Sequence, residues 1–268
     1  SSTPPAAVRP TSSEPPLRLL DGFVSSWDKL PVLPDIKLLD TQYKEIRSLV
    51  ERNEPVELEF DIRNWFKMGP VKYHNVVATI PGTTWPDEHI VIGGHFDCFS
   101  SATGGVDDGS GFSPAMEAIR LIKAAGGQPK RSVTVILFAA EEIGLVGSQS
   151  WLKKRPQVHE KVMFMMNRDS SPAAITGATV PGHWYEDFQA ITAPLAKLHP
   201  KWPFELVRND YPSPRPERPS GSDHSSFQML GIPSLNFRTQ TDYVYNYAWH
   251  TSNDLYSELV PYEEHQKH

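Results

Sequence analysis

Four separate stretches of apolar residues in this chain run into acids or imidazoles, and that pattern limits its fold more than any composition figure. Ile90-Val91-Ile92-Gly93-Gly94 leads straight into His95 and Asp97, and residues 133–140 lead into Glu141 and Glu142. Residues 161–166 are followed by Asp169, and 232–237 pass through a Tyr-rich stretch to His250. Short, nearly continuous apolar runs read as strands buried on both faces. When such strands alternate with helices they form a sheet with helical cover, and ligands bind beyond the strands' carboxyl ends. The expected fold is therefore α/β, a mostly parallel mixed sheet covered by helices on both faces.

Other segments fill in this outline. Tyr43, Ile46, Leu49 and Val50 share one side of a helix over 40–52, and the strict alternation of 56–62 predicts a half-buried strand. A further strand over 75–80 ends at Pro81-Gly82. Over 113–125 a helix is expected, with Ser113 as N-cap, Pro114 at the first helical position and Gly126 just past the end. Helices over 185–198 and 222–230 complete the set. The first 35 residues are proline-rich with little periodicity, so 1–55 reads as an N-terminal arm and 56–268 as the catalytic domain.

Composition removes some functions. Lys and Arg total 26 against 32 Asp and Glu, a net charge of −6, which disfavours nucleic acid or an anionic membrane as the main partner. No apolar run approaches the ~18 residues needed to span a bilayer. Residues 1–16 lack the charged-then-apolar pattern of a signal peptide. Cys98 is the only cysteine, so no intrachain disulfide forms. It lies in His95-Phe96-Asp97-Cys98, where its neighbours explain the stretch better than a thiol nucleophile does.

Carboxylates gathered at one sheet rim repel each other, and burying them unpaired costs several kcal/mol per charge, so a cation is required. Two imidazoles among them favour zinc or a similar transition ion over calcium or magnesium. In His95-x-Asp97, a carboxylate two residues on is placed to accept the second ring N–H. The loop Gly104-Gly105-Val106-Asp107-Asp108-Gly109-Ser110-Gly111 turns sharply enough to set one carboxylate, of Asp107 or Asp108, between two ions. Of Glu141 and Glu142, one binds metal while the other takes a proton from water. Each motif alone is commonplace, a turn, a helix cap or a solvated acid pair. Their shared position at strand ends sets them apart.

These stretches, together with Ala139-Ala140-Glu141-Glu142-Ile143-Gly144-Leu145-Val146-Gly147-Ser148, Asn167-Arg168-Asp169-Ser170-Ser171, Ser222-Asp223-His224 and His250-Thr251, resemble the co-catalytic zinc exopeptidases. That family includes secreted bacterial leucine aminopeptidases and the plasma glutamate carboxypeptidase (carboxypeptidase Q) branch. The resemblance runs from about residue 75 to 260. It implies two zinc ions, with Asp107 bridging, His95 and Asp169 completing one site, and Glu142 and His250 the other. Glu141 is then the general base and Asp97 the residue that orients His95. It further implies hydrolysis at a peptide terminus or in dipeptides by a hydroxide shared between the ions, and a secreted or periplasmic location. Tyr243, Tyr245, Tyr247, Trp249 and Asp223 are candidate substrate contacts, and His224 reads as structural. Residues 57–66 look like the segment that follows a protease-associated domain, which makes the arm a remnant of that upstream domain. Two other readings stay open: a single-zinc acyl transferase resembling glutaminyl cyclase, and a non-catalytic module resembling the transferrin receptor ectodomain.

Overall fold

Alternation by two along the central strands decides which helix each residue meets. In the computed structural model, which describes residues 8–9, 36–63, 69–99, 102–211 and 214–268, Val91 and Ile92 belong to opposite faces of one sheet. Val91, Ile136, Phe138 and Met165 pack with Trp151, Leu152 and Phe227 on one face. Ile92, Val135 and Leu137 pack with Phe112, Ala115, Ala118 and Ile119 on the other.

Contacts divide the chain into two units, residues 1–72 and 73–268. In the first, β1 (Val8–Arg9) pairs parallel with β2 (Ile36–Lys37), and α1 (Asp40–Glu51) forms where its apolar spacing predicts. The strand expected over 56–62 does not form, and the residues there are mostly exposed without ladder partners. Alternation marks a strand only where a sheet edge offers its backbone partners, and among the described residues none pairs with this segment. Apart from 8–9, the proline-rich stretch 1–35 lies outside the described residues.

The second unit holds β3 (Val76–Ile80), β4 (Trp85–His95), β5 (Arg131–Phe138), β6 (Val162–Asn167), β7 (Ala174–Pro181), β8 (Glu205–Asn209) and β9 (Ser234–Gln240). They form one seven-stranded sheet in the order β3-β5-β4-β6-β9-β7-β8. Pairs β4–β5, β4–β6, β6–β9 and β7–β8 are parallel, while β3–β5 and β7–β9 are antiparallel. The mostly parallel mixed sheet is thus present. Helix α2 (Gly109–Ala124) covers one face, while α3 (Val146–Lys154) and α6 (His224–Gln228) supply Trp151, Leu152 and Phe227 to the other. The short α4 (Pro156–His159) follows α3, and α7 (Glu263–Lys267) ends the chain. Near the far edge, Ala178, Val180 and Leu235 pack with Tyr185 and Phe188 of α5 (Tyr185–Thr192).

Several boundaries differ from expectation. Helix α2 begins at Gly109 rather than Ser113, so Pro114 lies inside it, in the second turn, and Asp108 is the N-cap. Gly109 and Gly111, which read as loop, lie in its buried first turn, packed where no side chain fits. Helix α5 stops at Thr192, two residues before Pro194, whose missing N–H ends the ladder. Strands β7 and β8 and helix α3 carry no clean period in the sequence: β7 and α3 are largely buried, and β8 is a mostly exposed edge strand held by its pairing with β7.

Phe227 has no exposed surface and its ring lies 6.0 Å from Phe138 and 6.1 Å from Trp151. Phe227→Ala is expected to cost about 3–5 kcal/mol of stability, read as a fall in the denaturant midpoint. A loss below about 1 kcal/mol would show that this cluster does not hold α6 to the sheet.

Candidate metal centre

Three adjacent strands, β5, β4 and β6, release their chains at the same rim. His95 is the last residue of β4, Glu141 and Glu142 follow β5 by three and four positions, and Asp169 follows β6 by two. Asp107 precedes α2, and His250 comes from a coil after a 3-10 turn at Tyr245–Tyr247. Ala140 and His250, one just before Glu141 and one itself a candidate ligand, have φ of 57° and 58°. Side chains other than glycine rarely adopt this left-handed region, and such positions gather at functional sites.

The side chains converge. His95 Nε2 lies 3.2 Å from Asp107 Oδ1, 3.7 Å from Asp169 Oδ1 and 4.0 Å from Glu141 Oε2. His250 Nε2 lies 2.9 Å from Glu142 Oε2 and 3.8 Å from the other Asp107 oxygen, Oδ2. One carboxylate of Asp107 therefore faces both imidazoles. His95, Asp107 and Glu142 can each offer a ligand atom within 4.8 Å of the others. Glu142 Oε1 is buried without a hydrogen-bond partner. Two imidazoles cannot balance the carboxylates of Asp107, Glu141, Glu142 and Asp169, and the mixed nitrogen and oxygen donors fit zinc.

Asp108 also comes within that range of His95 and Asp169. Its Oδ2, however, accepts the His95 backbone N–H at 3.1 Å, and the side chain is fully buried. A Cβ on either Gly94 or Gly111 would collide with this carboxylate, so glycine at both positions makes room for it. Asp108 thus supports the chain behind His95, and Asp107 is the acid that meets both rings.

Asp97 corrects a detail of the sequence reading. The Nδ1–H of His95 donates to the backbone carbonyl of Asp97 at 3.0 Å, whereas the carboxylate stands 3.6 Å away, beyond a hydrogen bond. That carboxylate is engaged elsewhere: Oδ1 accepts the Glu141 N–H at 3.1 Å and Oδ2 the Glu142 N–H at 3.3 Å. Asp97 thereby fixes the ring of His95 and the turn bearing both glutamates. Replacing it with Ala is expected to weaken zinc affinity about 10–100-fold, measured by competition with a chromogenic chelator. Unchanged affinity would remove Asp97 from the site's support.

Burial pushes the Glu141 carboxyl up to about 9, aided by Asp169, Asp223 and Glu142 and opposed by His95. Burial also works against charge on His95, yet Asp107, Asp169 and Asp97 hold its ring well above its ordinary value. Asp169, pushed up by burial, is held low by His95 and by the Ser222 hydroxyl, which in turn accepts from Asn167 Nδ2 at 2.8 Å. Asp223 is completely buried, and burial pushes it up to about 7. It lies among the acids behind the site rather than on an open surface where substrate would sit. His224 is lowered by burial and lies beside Asp169.

The aromatic candidates separate. Tyr245 is pushed upward by burial and by Asp107, Asp169 and Asp108, which places its hydroxyl against the acids. Trp249 stacks on His250 with centroids 4.2 Å apart, and Phe99, which the sequence reading passed over, stacks on it at 4.5 Å. Tyr243 donates to Glu258 at 3.3 Å and packs edge-on against Tyr262, while Tyr247 is 54% exposed. Cys98 donates to the Ala102 carbonyl at 3.3 Å, and burial pushes its thiol up, away from nucleophile chemistry. Asp254 was also missed, and its carboxylate accepts from the loop that carries Asp107.

Residues 75–267 match peptidase family M28, and the chain belongs to that family. It is 26% identical over 239 residues to carboxypeptidase Q of Rattus norvegicus, covering 87% of this chain and 47% of the rat protein. Among solved structures, it resembles a peptidase M28 precursor from Shewanella amazonensis at 24% identity and a TM-score of 0.69, covering 88% of this chain and 52% of the other. It also resembles BSAP, a zinc aminopeptidase from Bacillus subtilis, at 21% identity and a TM-score of 0.53, covering 72% and 47%. These likenesses show a common fold. The chain spans about half the length of the proteins it matches.

Proposed function

We propose that the chain is a metal-dependent exopeptidase that hydrolyses peptide bonds at a terminus or in dipeptides, using two zinc ions. The observation that carries this reading is one carboxylate, Asp107, facing His95 on one side and His250 on the other. His95, Asp107 and Asp169 would hold one ion, and Asp107, Glu142 and His250 the other. Bound zinc supplies a polarised scissile carbonyl and a water of lowered pKa.

The chain's own groups do the rest. Glu141, 4.0 Å from His95 and farther from it than Asp107 or Asp169, accepts a proton from the attacking water and returns it to the leaving amine. Cations beside it favour its carboxylate form, reversing the upward push of burial. The Tyr245 hydroxyl, kept protonated by its surroundings, donates to the oxygen that gains charge as the carbonyl is attacked. Trp249 and Phe99 pack on the His250 ring and fix its direction.

Family membership and the relatives' names, a carboxypeptidase and a zinc aminopeptidase, support an exopeptidase acting on peptides. All five ligand candidates and the base meet, which disfavours a non-catalytic module. Among the described residues no helix is long and apolar enough to cross a membrane. A secreted or periplasmic location accords with the resemblance and is checked by fractionation of the native host.

A panel of aminoacyl amides, dipeptides and blocked peptides, assayed with and without chelator, tests the reading. Cleavage of terminal residues that stops with chelator and returns with zinc is expected. Activity indifferent to chelator sinks it, and cyclisation of N-terminal glutamine without cleavage would select the cyclase-like alternative instead.

A further inference from the structure

Asp254 lies four residues past His250 and reaches the loop that carries Asp107. Its Oδ1 accepts the backbone N–H of Val106 at 2.6 Å and that of Asp107 at 3.1 Å. Its backbone carbonyl accepts the Thr103 N–H at 3.1 Å, and its own N–H donates to Thr251 at 3.3 Å. Asp254 is 1% exposed. Beside it, Gly105 lies so close to the backbone of Leu255 and Tyr256 that any Cβ there would collide with them. Two connections from distant parts of the chain are thus joined through main-chain groups on both sides.

The need for such a join follows from the loop's composition. Gly104 and Gly105 immediately precede Val106 and Asp107, and glycine backbones lose the most freedom on being fixed. Ordering each residue costs about 1–2 kcal/mol, so a glycine-rich loop does not by itself hold a carboxylate to metal-ligand tolerance. A buried side-chain oxygen that accepts two consecutive N–H groups supplies that order, each such bond contributing about 0.5–1.5 kcal/mol. Since Asp254 follows His250 in the same coil, the bonds that fix Asp107 also set its distance from the second imidazole.

We propose that Asp254 is a positioning residue that registers the Asp107 loop against the His250 loop, so that one Asp107 carboxylate meets both imidazoles. This rests on the two-ion reading above. Asp254 touches neither substrate nor ion; it acts through the backbone of Val106 and Asp107.

Cobalt(II) and zinc titrations of the wild type, Asp254→Ala and Asp254→Asn, with circular dichroism to verify folding, test it. In Asp254→Ala the affinity for at least one ion falls about 10–100-fold, the visible cobalt spectrum shifts, and kcat drops with KM nearly unchanged. Asp254→Asn keeps an oxygen able to accept both N–H groups and regains most of the affinity. Wild-type affinity and spectrum in Asp254→Ala overturn the proposal. Should that variant not fold, Asp254→Asn decides: affinity within a few fold of wild type supports the role, and a loss above tenfold in a folded protein overturns it. A wild type that takes up neither metal overturns the metal reading itself, a failure visible before any substitution is compared.

Discussion

Glu141→Gln lowers turnover about 1000-fold while the zinc content per chain stays at the wild-type level, within the 10²–10⁴-fold range typical of lost general base catalysis. The substitution keeps shape and volume and removes only the ability to accept a proton. Glu141 lies 4.0 Å from His95 Nε2, farther than Asp107 or Asp169, and its neighbour Glu142 is the one that contacts His250 at 2.9 Å. Loss of Glu141's charge should therefore leave the ligand set whole. Atomic absorption on the purified variant, beside a progress curve with a terminal-residue substrate, separates the two effects. Turnover within tenfold of wild type removes Glu141 as base. Lost zinc would instead make it a ligand.

Zinc stabilises the folded chain strongly, and more so as pH rises from about 5 to 8. At a free concentration 1000 times the dissociation constant, one site contributes about 4 kcal/mol, which for a domain of this size raises Tm by about 10 °C. The pH trend comes from the burdened acids. Glu141 has its ordinary value of 4.5 when unfolded and about 9 in the folded protein without metal. Between those values the unfolded chain has released a proton that the folded one keeps, so this group's contribution to metal-free stability falls as pH rises. His95 is likewise held well above its ordinary value, and its favourable contribution is lost as pH rises through the folded value. Zinc displaces such protons, so its affinity grows over the same window. Thermal scans with zinc and with chelator, at several pH values, read the difference directly. A Tm difference independent of pH would contradict this account.

Much of the candidate site was legible because its acids and imidazoles sit where strands end, and strand ends are marked by apolar runs breaking into charge. His95, Glu141, Glu142 and Asp169 could be placed from that alone. Asp107 and Asp108 could not be told apart by their surroundings in the sequence, since both stand among glycines. Their difference is one of direction: Asp107 faces the two rings and Asp108 turns back to the His95 N–H. Asp97 was chosen for the correct ring but with the wrong atom, because which of its oxygens meets His95 depends on the Glu141 turn packed against it. Asp254 left no local signal beyond an acid four residues after a histidine, since its partners are backbone groups almost 150 positions away. Strands β7 and β8 escaped for a related reason. Their pairing partners, not their own periods, make them strands, whereas 56–62 has a fine period and no ladder partner among the described residues.

His95 and His250 stand about 150 residues apart along the chain, yet each approaches the same Asp107 carboxylate. Two ions joined through Asp107 would together act as a clasp across most of the second unit. Cross-linking so long a loop removes several kcal/mol of unfolded-state freedom, about 4–5 by the chain-entropy relation used for cystine bridges. A chain with one cysteine cannot make such a bridge within itself. Here the catalytic metals would take over that task, tying durability to the chemistry they serve.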